Sequence, residues 1–138
     1  MKISHSLLIP ACSLLFLTAC LTNSEDITEV DEGSVPETPS FAGDVLPIFQ
    51  QTCGGSGCHI NQTTLGVNLT TYEQTLQSQG VQYGGPIVIS GNADQSPLVD
   101  KLEPGPERGQ RMPLGRPALS GNDIEIIRRW INQGAEDN

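Results

Sequence analysis

Cys53-Gly54-Gly55-Ser56-Gly57-Cys58-His59 decides how the rest of the chain is read. Two thiols followed at once by an imidazole suit covalent haem attachment. Each thiol adds across one vinyl group to form a thioether, and the adjoining histidine is held under the iron as an axial ligand. The usual spacing leaves two residues between the cysteines. Here there are four, three of them glycines. The extra length must bulge outward while both sulfurs reach one macrocycle, and glycine tolerates the positive φ angles of such a bulge. Other chemistries fit less well. A Cys53–Cys58 disulfide would close a small loop in an oxidising compartment. A zinc site on Cys53, Cys58 and His59 lacks a fourth Cys or His. A nucleophilic Cys–His pair would need adjacent side chains to point at each other, with no group in view to orient them.

Upstream, residues 1–19 read as a signal peptide. Lys2 gives the positive start, and Leu7, Leu8, Ile9, Leu14, Leu15, Phe16 and Leu17 make an apolar run too short to span a bilayer comfortably. The run ends in Leu17-Thr18-Ala19-Cys20, which resembles a bacterial lipoprotein signal. Cys20 would then be lipidated and become the first residue, holding the chain to a membrane of the cell envelope. Leu21, where an Asp would favour inner-membrane retention, leans towards the outer membrane. An ordinary secretory signal or a short uncleaved anchor is the plainer alternative. Residues 20–40 are acidic and proline-containing without an apolar period, as expected of a solvated tether rather than an acidic metal-binding tract.

Processing simplifies the inventory. Cleavage leaves 119 residues, with His59 the one histidine, Met112 the one methionine, and Cys53 and Cys58 the only thiols besides Cys20. The formal charge moves from −9 to −10 as Lys2 leaves. So acidic a chain is a poor nucleic-acid binder, since that function needs clustered Lys and Arg.

Residues 41–138 form the expected domain. Phe41, Val45, Leu46, Ile48 and Phe49 suggest a short helix leading into Cys53, with Pro47 in its first turn or kinking it. Leu65, Val67 and Leu69 alternate and predict an extended piece. Thr70 or Thr71 can cap a helix carrying Tyr72 and Leu76, closed by Gly80. Gly84 to Gly91 reads as loop. Ser96-Pro97 opens a helix through Leu98 and Leu102. Pro104 to Pro117 is a long Pro/Gly/Arg loop around Met112. Ser120 and Asp123 resemble a capping box before a last helix with Ile124, Ile127 and Ile131 on one stripe, ended by Gly134. The fold class this predicts is all-α: a small helical domain with long loops around one covalent haem.

From Phe41 to Ala135, 95 of the 119 residues, the chain resembles the small monohaem c-type cytochrome domains of bacterial envelope proteins. The resemblance rests on Val45-Leu46-Pro47-Ile48-Phe49, Cys58-His59, Gly91-Asn92-Ala93-Asp94-Gln95-Ser96-Pro97-Leu98, Arg111-Met112-Pro113-Leu114-Gly115 and Trp130-Ile131-Asn132-Gln133-Gly134-Ala135. Four-residue spacers also occur among c-type haem sites. The resemblance implies haem c on Cys53 and Cys58, His59 and Met112 as the two axial ligands, and first and last helices packed across each other. The residue count agrees: with His59 on one face of the iron, Met112 is the only strong soft ligand left for the other. A gap-filling core role is the alternative for Met112.

His/Met ligation leaves no open coordination position, which argues for a one-electron carrier rather than a peroxidase or oxygenase. A thioether ligand also raises the potential. His59 should donate its Nδ1 hydrogen to a carbonyl. No proline lies between His59 and Pro86 to supply the usual one, so the acceptor is open. Arg111 and Arg116 flank Met112 and could pair with the haem propionates or simply face solvent. Lys101, Arg128 and Arg129 read as surface residues. The acidic charge predicts salt-sensitive docking to redox partners with basic patches. A non-haem envelope lipoprotein with a Cys53–Cys58 disulfide, or a haem-based sensor in which a gas displaces Met112, are the alternatives.

Overall fold

The computed structural model describes residues 34–138. The expected signal peptide, Cys20 and most of the expected tether lie outside the described residues. The chain opens with a π-helical turn, Phe41–Val45, followed directly by α1, Leu46–Thr52. Then come α2 (Tyr72–Gln77), β1 (Gln79–Gly80), β2 (Gly85–Pro86), α3 (Pro97–Leu102) and α4 (Gly121–Asn132).

The expectation of an all-α fold is corrected here. Helix makes up only 34% of the structure, and β1 pairs antiparallel with β2, so the architecture is mixed, with long loops. The reason is local. Leu65 and Gly66 both take positive φ, and Thr64 and Val67 exchange two backbone hydrogen bonds of 3.0 Å across them. That is a two-residue hairpin turn, not the extended run that the alternation of Leu65, Val67 and Leu69 predicts. The turn lies alongside β1: Gln79 N donates to Gly66 O at 3.0 Å and Val81 N to Leu65 O at 3.1 Å. Gly80 therefore belongs to a sheet edge. The end of α2 is satisfied instead by Ser78, whose hydroxyl donates to Gln74 O at 2.8 Å.

Other elements follow their sequence signals. Ser40 caps the first turn, accepting from Gly43 N at 3.0 Å, and Asp44 accepts from Ser40 N at 2.7 Å. Pro47 sits in the first turn of α1, where its missing N–H is tolerated. Thr71 caps α2 and Ser120 caps α4. Ser96 precedes Pro97 without capping; its hydroxyl donates instead to Asn92 O at 2.8 Å.

The core gathers around Phe41, whose ring meets Tyr72 at 5.4 Å, Trp130 at 5.3 Å and Phe49 at 6.4 Å. Ile127, Trp130 and Ile131 on α4 are buried, so the first and last helices meet through Phe41 and Trp130. Residues 35–37 run along α4, held by Arg129 Nη1 to Pro36 O at 3.2 Å and Gln133 Nε2 to Glu37 O at 2.7 Å. This stretch of the expected tether is thus attached to the folded part. Among the described residues no helix is long and apolar enough to cross a membrane.

Candidate functional site

Helix α1 delivers Cys53 as its C-cap, where Cys53 N donates to Phe49 O at 2.8 Å. The chain then loops and returns, and His59 N donates to Cys53 O at 3.0 Å. The four intervening residues bulge outward, with Gly55 at φ +121° and Gly57 at φ +78°. Both conformations disfavour ordinary side chains, which accounts for Gly55 and Gly57. The two thiols are free. Cys53 is buried, and burial pushes its thiol up from the ordinary value of 9.0. Cys58 is half-exposed.

The acceptor for His59 is found on the hairpin turn. His59 Nδ1 lies 3.3 Å from Val67 O, and a carbonyl only accepts, so Nδ1 carries the hydrogen and the Nε2 lone pair is left for another partner. Thr64 fastens the turn to the Cys53–Cys58 loop by donating its hydroxyl to Cys58 O at 2.6 Å.

Met112 comes from a separate part of the chain. Its N donates to Lys101 O at 2.7 Å, and the surrounding loop is hung on the end of α3. Lys101 Nζ donates to Arg108 O and to Gln110 O, Arg111 Nε donates to Leu102 O, and Glu107 N donates to Asp100 at 3.2 Å.

Cys53, His59 and Met112 line the same space. A narrow apolar cavity of about 90 Å³ adjoins a wider one of about 400 Å³, and Cys53, His59, Leu65, Gln82, Lys101 and Met112 line both. The wider volume falls within the range of small-molecule and cofactor pockets, about 300–1,000 Å³. Cys58 lines the wider one as well. No Asp or Glu lines either, in a chain with 16 acidic residues. Among the described residues no group of three or more His, Cys, Asp or Glu side chains converges as metal ligands, so Cys53, Cys58 and His59 do not gather a zinc-type donor set.

The two candidate arginines diverge. Arg116 lines the wider cavity and donates to Thr52 O at 3.4 Å; a Cβ on Gly55 would stand 3.0 Å from its Nη2. Arg111 lines neither cavity and bonds Leu102 O. Lys101, read as a surface residue, lines both cavities. Arg128 does behave as a surface residue, pairing with Glu103 at 2.8 Å and with Asp94, and Arg129 pairs with Glu125 at 2.8 Å.

Tyr83 is a cavity residue that no motif or spacing in the chain points to. Its hydroxyl donates to Asp100, and Lys101 Nζ and Arg108 lie 5.7 and 5.8 Å from its ring centroid. Burial and then the Asp100 carboxylate push its phenol up to about 12. Compared with known protein families, curated proteins and solved structures, the chain gives no match.

Proposed function

We propose that this chain is an electron carrier holding one haem c on Cys53 and Cys58, with His59 and Met112 as the axial pair. The observation that carries the reading is the convergence of Cys53, His59 and Met112 on one pair of adjoining cavities from separate parts of the chain. The donor set suits the group. Two free thiols can add to two vinyls, each S–H placing sulfur on one vinyl carbon and hydrogen on the other. The imidazole is fixed in the tautomer that offers Nε2. The absence of carboxylates from the lining spares an anionic macrocycle close repulsion.

When bound, the haem supplies one-electron exchange between Fe(II) and Fe(III). The chain's own residues keep that exchange free of large rearrangement. Val67 O holds the His59 ring, the Lys101 backbone holds Met112, and the α3 contacts hold the loop around it. Leu65, Val67, Leu69, Ile87 and Leu98 make the narrow cavity apolar, and an apolar shell limits water access to the iron. Anchoring through a lipid on Cys20, at the periplasmic face of the envelope or the cell surface, belongs to the same proposal.

The test is expression alongside the cytochrome c maturation machinery. Intact-mass spectrometry should find one haem per chain, lost stepwise in Cys53→Ala and Cys58→Ala. Met112→Ala should change the visible spectrum and lower the potential, since a thioether ligand raises it. A chain with no covalent adduct would overturn the reading.

A further inference from the structure

We infer that the rim of the wider cavity is a docking face for an acidic protein surface, the reverse of what the whole-chain charge suggests. This rests on the haem reading and deepens it by naming the chemistry of the partner.

Three observations carry it. The described chain segregates its charges. Arg128 and Arg129 are ion-paired, whereas Lys101, Arg108, Arg111 and Arg116 form no salt bridge among the described residues and donate to backbone carbonyls instead. Their positive charge is therefore uncompensated by a direct partner. Lys101 and Arg116 line the wider cavity, and Arg108 reaches Gln82, which lines it too. Asp100 and Glu107 are the acidic residues of this region, and Asp100 is engaged by the Tyr83 hydroxyl and Glu107 N.

The same rim is apolar. Leu65 and Leu114, large hydrophobics left 56% and 58% exposed, line the wider cavity, and Val81, 67% exposed, lines the narrow one beside it. Apolar side chains clustered among unpaired cations suit a macromolecular surface better than a small anion, which would bury none of them.

The chemistry of the attachment places the cations. In haem the propionates stand on the edge opposite the vinyls. Thioethers at Cys53 and Cys58 would put the vinyl edge at the loop that Arg116 touches, so a propionate would not neutralise Arg116. Its charge is available to a partner, where complementary charge speeds encounter and sets orientation.

The probe is labelled poly-L-glutamate, its binding to the holoprotein followed by fluorescence anisotropy, after intact mass has established the haem. A chain of net charge −9 should repel this polymer unless it carries a local basic face. The expected result is binding that is released by salt. The double variant Arg108→Gln, Arg116→Gln should bind about fivefold more weakly or worse, as expected for two exposed charge contacts. Arg128→Gln removes a cation from an ion pair elsewhere and should leave binding unchanged. In parallel, oxidation by ferricyanide should slow as salt rises, because an anion is being attracted. A haem-bearing chain that ignores poly-L-glutamate, binds it equally well in the double variant, or is oxidised faster by ferricyanide at high salt overturns this inference alone. A chain without haem overturns it together with the reading beneath it.

Discussion

Replacing Gly66 with alanine should damage the site through a backbone it never touches chemically. Gly66 has φ +82°, and a Cβ there would lie 2.0 Å from Gln79 O, where real contacts do not fall below 3.0 Å. The turn and β1 must therefore separate by about 1 Å. That strains or breaks the Gln79 N to Gly66 O and Val81 N to Leu65 O bonds. Two hydrogen bonds at about 0.5–1.5 kcal/mol each, plus about 1–2 kcal/mol for alanine in the left-handed region, give a loss of about 2–5 kcal/mol. Gly84 is the control: its φ is +72° with nothing within 4 Å, so Gly84→Ala should lose only the conformational part, about 1–2 kcal/mol. Urea unfolding followed by the fluorescence of Trp130, the single tryptophan, measures both. The displacement also moves Val67, the next residue, away from His59 Nδ1. The haem-loaded variant should consequently show an altered visible spectrum, while Gly84→Ala should not. Equal losses in the two variants would show that the close approach at Gly66 carries no weight.

Two further outcomes follow from the titrating side chains. Tyr83 should ionise near pH 12 in an ultraviolet titration, above its ordinary value of 10. Because folding favours the protonated phenol, its contribution to stability should be full below pH 10 and fade as pH rises through 12; Tyr83→Phe should remove that dependence, and an unchanged alkaline profile would refute the assignment. In the reduced, haem-free chain at neutral pH, iodoacetamide should modify Cys58 at least about tenfold faster than Cys53, since only the thiolate attacks and Cys53 is buried with its thiol pushed up. Peptide mapping reads the order, and equal rates would mean that Cys53 is not held inside.

Local signals were legible where one residue type dictates one geometry. Pro47 and Pro97 in first helical turns, the caps at Thr71 and Ser120, and Gly55 and Gly57 in the loop between the two cysteines all follow from backbone sterics that need no tertiary information. The β-hairpin was hidden because Leu65 adopts φ +51°, a conformation its side chain does not advertise. Missing that turn also hid Val67 as the partner of His59, since an extended strand would have carried the carbonyl away from the ring. Arg111 and Lys101 exchanged roles for a similar reason. Proximity to Met112 in sequence pointed to Arg111, but the loop folds back on α3, turning Arg111 to Leu102 O and leaving Lys101 at the cavity.

The bond from His59 N to Cys53 O has a consequence for how the chain is loaded. It closes residues 53–59 into a ring in the folded chain, so on the proposed haem reading part of the entropy of ordering that segment would already be lost in the haem-free fold. Under that proposal, capture would be a matter of two sulfurs meeting two vinyls at a ready-shaped rim. Loosening the ring should slow maturation more than it weakens the finished product, because covalent thioethers hold the ends together once they have formed.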